Sequence, residues 1–361
     1  MYRICLFGLL ALGLATARAH HGAALYFDLD NIATLKGEVL SVSWRNPHVM
    51  FEIRRTDDGG TNEVWEIEAS SMNALLRVGV ESSVVGVGDR VTFTGALSRH
   101  GLPSMAGHVM TLEDGTDVAV WPRPAMRLGQ EVRPAPISTV AAEASRSTAL
   151  GIFRVWSRPD LRGPFLVSDH LPFTPAALAV IEAWNPLEDD PSVRCIPRGM
   201  ASLMNNPLPV EFFDQGDSIL MQLEEWDSER TIHLSEVEDP ATQPRTPLGY
   251  SIGRWDGATL VVTTSRISDV YFDDRGAPQS EDLVIVERFT LVDSNTINYE
   301  VTVDDPGPFT AAWKVAMPLN RDTTYQIYEY ACHEGNYGLE NSLRAGRAED
   351  RAAAEAAATK Q

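Results

Sequence analysis

Hydrophobic and polar residues alternate with a period of two along much of the chain, most clearly between Leu248 and Val303. Runs rich in Val, Ile, Thr and aromatic residues are separated there by Asp256-Gly257 and by Asp293-Ser294-Asn295. Such polar segments accept the positive φ of tight turns, and β-branched residues fit a pleated face. The stretch is therefore predicted to be an antiparallel meander in the middle of an all-β domain. It carries no recognisable spacing of catalytic residues or metal ligands.

The domain around this meander is predicted to cover residues 151–346. Shorter strand patterns occur at residues 211–213, 218–224, 231–234, 312–317 and 324–330. Seven or more antiparallel strands with short turns favour one closed or nearly closed barrel, loosely lipocalin-like. A two-sheet sandwich is the alternative.

Residues 20–121, which precede the larger domain, are predicted to form a separate domain with a different order of elements. Alternating patterns at residues 34–42, 48–55 and 63–69 predict three strands. A short helix follows at 73–77, capped by Ser71 and ended by Gly79, and strands at 90–96 and 107–112 complete the domain. Three strands, a helix and two strands form the order of an OB-type five-stranded barrel. The fold class is thus mainly β, with few short helices.

Between and after the two domains the composition changes. Residues 122–150 are rich in Pro and Ala and are predicted to be a linker, and residues 347–361 are predicted to be an Ala-rich helical tail.

Two sets of motifs carry resemblances to known families. The first consists of His20-His21-Gly22, Tyr26 with Asp28, residues 35–39, residues 44–48, residues 71–77 and Gly88-Asp89. In this combination residues 20–121 resemble a family of secreted bacterial proteins of unknown function whose mature chains start with His-His. The second consists of residues 157–163, Asp190-Pro191, residues 195–199, residues 249–255 and residues 329–337, and it resembles an uncharacterised secreted β-rich family over residues 156–346. Neither resemblance implies a reaction.

Residues 1–19 have the pattern of a signal peptide. Arg3 precedes an apolar run, and Ala17-Arg18-Ala19 offers small residues for cleavage near Ala19. No later run approaches about 20 apolar residues, so we expect no stable membrane insertion and a periplasmic or secreted protein. Loss of Arg3 and Arg18 would change the formal charge from −20 to −22, which disfavours a nucleic-acid partner.

Cys195 and Cys332 would remain after cleavage. An even number of cysteines in an oxidising compartment favours a disulfide between them, and two separate buried thiols are the alternative.

The paired histidines suggest a metal site. Cleavage after Ala19 would leave His20 with a free amine beside its imidazole, His21 would follow, and His48 would add an imidazole from the start of the second strand. Three nitrogen ligands of this kind suit Cu(II) in a histidine brace. Alternatively, the histidine pair is a disordered terminus and His48 is a structural histidine hydrogen-bonded to the backbone.

The larger domain holds a second set of candidate residues. His233, His333, Glu334, Glu287 and Arg254 are weak candidates for a catalytic site, because a histidine beside a carboxylate can act as an acid–base pair. The same residues are also typical of an outward polar face, where Arg254 and Glu287 would pair across strands.

The function favoured by the sequence is the binding of a small or apolar ligand, or of another exported protein, by the larger barrel. A copper carrier or oxidase is the first alternative, and a lyase or isomerase in the larger barrel is the second. No cofactor other than copper is suggested.

Overall fold

Two closed circuits of strands dominate the structure. The computed structural model describes residues 26–56, 62–99, 101–130, 151–158, 171–185, 188–205, 208–235, 238–269, 271–273, 275–322, 325–332 and 347. The predicted signal peptide and most of the predicted tail lie outside these residues.

The first circuit belongs to a sheet of six strands. They are β1 (Phe27–Ser43), β2 (Met50–Thr56), β3 (Asn62–Glu68), β4 (Arg90–Ser98), β5 (Ser104–Thr111) and β6 (Asp117–Ala119). The order in the sheet is β3-β2-β1-β4-β5-β6, and a parallel pairing of β3 with β5 closes five strands into a ring. The predicted five strands are thus present, β1 begins earlier than predicted, and β6 is an addition.

Helix α1 (Met72–Arg77) lies between β3 and β4, where the sequence predicts it. The Oγ of Ser71 accepts a hydrogen bond from the Ala74 N–H at 3.3 Å, and Gly79 follows the helix with φ +78°. Leu75 is fully buried in the core of the ring, with Val39, Phe51, Ile53, Ile67 and Phe93 among its members. The helix therefore contributes an apolar side chain to the barrel core.

One glycine permits the close approach of β4 and β5. A Cβ at Gly95 would lie 2.0 Å from the carbonyl oxygen of Ala106, at the point where the register between the two strands shifts. Any larger residue would push the strands apart.

The second circuit is a closed barrel of nine strands. They are β7 (Val155–Ser157), β8 (Val210–Asp214), β9 (Ser218–Leu223), β10 (Ser228–His233), β11 (Tyr250–Asp256), β12 (Thr259–Ser265), β13 (Val284–Asp293), β14 (Thr296–Asp304) and β15 (Trp313–Arg321). β7 closes the circuit by pairing with both β8 and β15. A closed barrel rather than a sandwich is therefore confirmed.

The predicted meander forms strands β11 to β14, with Gly257 at φ +61° in the first turn. The expectation of antiparallel pairing throughout is wrong at one place, because β10 and β11 are parallel. The long connection between them returns the chain to the end of the barrel where β10 began. The 3₁₀ turn Pro240–Thr242 lies within this connection.

The beginning of the predicted linker is structured. Helix α2 (Pro122–Arg127) starts with a proline, which suits the first helical position, and Ala125 is fully buried. Residues 131–150 lie outside the described residues. Two further helices, α3 (Pro175–Ala183) and α4 (Ser202–Asn205), precede β8.

Cys195 and Cys332 form the predicted disulfide, with a Cα–Cα distance of 5.9 Å. It ties the segment at residues 325–332 to the loop that follows the 3₁₀ turn Pro191–Arg194.

That segment joins the two barrels and is not the strand predicted at residues 324–330. Its hydrogen bonds go to side-chain carboxylates: the Tyr328 N–H donates to Glu224 at 3.1 Å and the Tyr330 N–H donates to Asp227 at 2.9 Å. Tyr328 also packs against the core of the first barrel. These contacts explain why an apparent strand pattern forms no ladder.

Candidate functional site

His48 lies in the connection between β1 and β2, at one end of the first barrel. Its Nδ1 atom is 3.0 Å from the carbonyl oxygen of Ala69 and 3.4 Å from a carboxylate oxygen of Glu68, and its side chain is 35% exposed. A carbonyl oxygen can only accept a hydrogen bond, so Nδ1 carries the proton in this contact. In the neutral ring Nε2 then keeps its lone pair, which is the arrangement of a metal-binding histidine whose orientation is fixed by a carbonyl or carboxylate.

Trp121 connects His48 to the beginning of the described chain. The centroids of the two rings are 5.8 Å apart, and Trp121 packs against a small cluster formed by Tyr26, Phe27, Ala96 and Ala106. His48 and the cluster that contains Tyr26 therefore both pack against the same indole.

His108, which the sequence analysis missed, lies on β5 nearby in the fold. Its carbonyl accepts a hydrogen bond from the Trp121 N–H at 3.0 Å, and its side chain is buried. Burial, with a smaller effect of Arg127, lowers the pKa of His108 to about 4, so the ring is neutral at pH 7. The signal that could have identified His108 was its place on β5, which is buried along almost its whole length. A histidine there faces either the core or the packed outer cluster.

Within the part of the chain that the structure describes, no three or more His, Cys, Asp or Glu side chains form a group that could hold a metal ion. His20 and His21 lie outside the described residues. A metal bound by His48 would therefore need ligands from beyond those residues.

Residues 9–106 match the model of a family of unknown function (DUF6152). The matched segment contains His20, His21 and His48, and it ends within β5. The resemblance to a known family is thus confirmed for most of the first domain, while the second resemblance stays a prediction. No curated protein matches the chain.

Outside the DUF6152 match, the nine-stranded barrel contains a buried ion pair. Arg230 on β10 and Glu287 on β13 are 1% and 0% exposed, and the guanidinium Nη2 donates to a Glu287 oxygen at 2.5 Å. Arg230 also donates from Nε to Ser251 Oγ at 2.9 Å and contacts Thr264 Oγ1. The pair thus lies against the hydroxyl groups of Ser251 and Thr264.

Tyr299 on β14 completes this network, hereafter the Arg230 network, by donating its hydroxyl to the second oxygen of Glu287 at 2.9 Å. Burial and the neighbouring negative charge of Glu287 raise the pKa of Tyr299 well above its usual value, so the hydroxyl stays protonated. A hydroxyl that stays protonated remains a hydrogen-bond donor to the Glu287 carboxylate.

The predicted partner of Glu287 was wrong. Arg254 is exposed on the outer surface, because its neighbours Ser251 and Gly253 on β11 occupy the inward positions. The strand period of two then directs Arg254 away from Glu287.

Of the predicted catalytic residues, the three that the structure describes, His233, Glu287 and Arg254, are not brought together. His233 stacks on Tyr250, with ring centroids 4.9 Å apart. Its neighbour Ile232 is fully buried in the core, so His233 points to the opposite face of the barrel wall from Glu287. His333 and Glu334 lie outside the described residues.

Bulky side chains meet inside the nine-stranded barrel. Its core includes Phe212, Met221, Leu260, Phe289, Ile297 and Val301, all 2% exposed or less. Phe289 contacts both Phe212 and Tyr299, with centroids 5.2 and 4.9 Å apart. These side chains and the Arg230 network occupy part of the barrel interior, where a lipocalin-like ligand would bind.

A second residue that the sequence analysis missed is Glu224, between the barrels. Asn46 Nδ2 donates to it at 3.1 Å and the Tyr325 hydroxyl donates at 2.5 Å. Burial raises the pKa of Glu224 to about 7, and the donated hydrogen bonds and Arg77 only partly oppose this effect. Its partners come from distant parts of the chain, so no local pattern marks it.

Among the described residues, no helix combines the length and apolar composition that a membrane span requires.

Proposed function

We propose that the chain is exported, loses residues 1–19 and binds one copper ion in its first barrel. The amine and imidazole of His20 and the Nε2 atom of His48 would supply three nitrogen ligands, and His21 would place a further imidazole beside them. Cu(II) favours such nitrogen sets with tetragonal geometry.

The observation that carries this proposal is the orientation of His48. Its Nδ1–H donates to Ala69, its ring is partly exposed, and Nε2 is left as the donor atom for a metal.

The distance along the chain also supports it. His20 is six residues before Tyr26, and an extended segment of that length spans up to roughly 20 Å. Since His48 and the cluster that contains Tyr26 both pack against Trp121, a mature amine at His20 would be within reach of His48.

The test is a competition measurement of Cu(II) affinity on mature protein purified from residue 20. We expect one tight site, a loss of at least tenfold in affinity for His48→Ala, and a similar loss for protein that retains Met before His20. The matched control is His233→Ala, which removes an imidazole from the other barrel and should leave the affinity unchanged. Equal affinity in all four proteins would overturn the proposal.

Ligand binding by the larger domain is the second candidate. Because buried side chains pack inside the barrel, ligand binding by this domain is supported instead by a cleft outside the barrel, beside α3. We also propose that the first barrel is of the OB type. This proposal is supported by the strand order of its closed ring and by the position of α1 between β3 and β4.

A further inference from the structure

An open cleft lies at the surface of the second domain, beside helix α3. Its described lining consists of Ala179, Val180, Ala183, Trp184, Asp189 and Tyr271. Helix α3 buries Ala177 and leaves Leu178 and Val180 52% and 43% exposed. The helix thus presents apolar side chains to solvent along one wall of the cleft.

Two aromatic rings also line the cleft. Trp184 and Tyr271 meet edge to face, with centroids 4.5 Å apart and an angle of 76° between the rings. The backbone of Gly276 lies flat against the indole, since a Cβ there would be 2.5 Å from Trp184 Cδ2. These contacts hold the indole in a fixed position without any ligand.

The indole N–H of Trp184 is buried and has no hydrogen-bond partner in the part of the chain that the structure describes. Buried donors are normally paired, so an unpaired one at the edge of a cleft indicates a place for an acceptor. Trp184 lines both the cleft and the small space beneath it.

The surroundings of the cleft are negatively charged. Asp189 belongs to the lining, and Asp269 and Asp273 lie with Trp184 and Tyr271 in the layer beneath. After burial, the charges of Asp189 and Asp269 are the effects that raise the pKa of Tyr271, so both carboxylates act on its ring.

The cation in that layer is already paired. Arg198 Nη2 contacts both carboxylate oxygens of Asp190, at 2.9 and 3.0 Å. Asp190 therefore has Arg198 as its partner, whereas Asp189 belongs to the lining of the cleft.

We propose that this cleft binds a small organic cation of the quaternary ammonium class that also carries a hydroxyl group, whose oxygen accepts a hydrogen bond from the Trp184 N–H. Aromatic faces and a nearby carboxylate attract such a cation, and the small apolar residues of α3 accommodate its alkyl groups. An anion would be repelled by Asp189, and an inorganic ion would gain nothing from the aromatic wall. The inference does not depend on copper binding.

The test is a titration with choline, followed by the indole N–H resonance of Trp184 in ¹⁵N-labelled protein. Trp184→Phe assigns that resonance among the signals of the eight tryptophans. The comparison ligand is 3,3-dimethylbutan-1-ol, the uncharged carbon isostere of choline. We expect choline to shift the resonance at millimolar concentration and to bind about tenfold more tightly than the isostere. No shift, or equal binding of the two compounds, would contradict the proposal.

Two variants test whether the charge of Asp189, rather than any nearby negative charge, attracts the ligand. Asp189→Asn keeps an oxygen that can accept from the Asn185 N–H and should weaken choline binding about tenfold. Glu182→Gln removes the same charge from an exposed position of α3 outside the lining and should change it less than twofold. Equal losses in both variants would mean that only the general field of the protein acts, and the proposed site would be rejected.

Discussion

Single side chains in this protein differ mainly in whether their polar atoms are paired. His48 uses one ring nitrogen to hold its orientation and keeps the other, whereas the carboxylate of Glu287 has both oxygens engaged, by Arg230 and Tyr299. A side chain such as Glu287, whose polar atoms all have partners within the protein, stabilises the structure and does not readily give up those partners for a ligand. We expect ligands to bind at side chains such as His48, which keep one polar atom available.

Glu224 should make stability depend on pH. In the unfolded chain its carboxyl releases a proton near pH 4.5, but in the folded protein it does so near pH 7. The folded state therefore holds more protons within this window, and the free energy of unfolding should fall as pH rises through it, by roughly 3 kcal/mol. Urea unfolding at a series of pH values measures the change.

Glu224→Gln should remove most of that decline, whatever its effect on absolute stability, because the amide does not titrate. Glu229→Gln is the matched control, since Glu229 is exposed on the neighbouring strand β10. If Glu224→Gln declines as steeply as the unmodified protein, the assigned pKa of Glu224 is wrong.

The Arg230 network should be intolerant of single changes. Arg230→Met leaves the charge of Glu287 buried without its cation, and we expect a loss of about 3–5 kcal/mol in the free energy of unfolding. Adding Glu287→Gln to this variant removes the unpaired charge and should recover part of the loss.

Arg254→Met is the comparison for this experiment, because Arg254 is exposed on the same barrel and should change stability by less than about 0.5 kcal/mol. A double variant less stable than Arg230→Met alone would show that charge burial is not the dominant effect.

At the level of elements, the segment at residues 325–332 depends on the disulfide. Cys195 and Cys332 are 137 residues apart, and a cross-link closing such a loop stabilises by up to about 5 kcal/mol in the chain-entropy description. Replacing both cysteines with alanine should lower the thermal unfolding temperature of the second barrel. It should also speed amide hydrogen exchange at Tyr325 and Tyr328, while exchange in the β-strands of the first barrel stays unchanged.

Unchanged exchange at Tyr325 and Tyr328 would instead mean that the contacts with Glu224, Asp227 and the core of the first barrel hold the segment in place without the disulfide.

Elements with strong local patterns were predictable from the sequence. The meander at β11 to β14 and the capped helix α1 follow from alternation, turn residues and Ser71. The parallel β10–β11 pairing and the lack of a strand at residues 325–330 could not be predicted. Both depend on where a long connection or a distant carboxylate lies in space.

The candidate site was predictable to a smaller extent. His48 was a candidate because the sequence places it near the start of the second strand, and its role as a metal ligand stays a prediction. Glu224 and Trp184 were not identified, since the pKa of the first and the unpaired N–H of the second arise from burial against residues far away in the chain.

At the level of the whole molecule, each of the two barrels carries one of the two proposed binding sites. The first carries His48 within the segment that matches DUF6152, and the second carries a packed interior with a negatively charged cleft outside it. The formal charge of −20 favours cationic ligands in both places.

The measurement that tests copper binding most directly is pulsed EPR of the Cu(II)-loaded mature protein with its imidazole nitrogens as natural ¹⁴N. Electron spin echo modulation counts the imidazoles bound to copper through their remote nitrogens. We expect at least two coupled imidazoles, with one fewer in His48→Ala and no change in His233→Ala. The same modulation in His48→Ala as in the unmodified protein would contradict the assignment of His48 as a ligand.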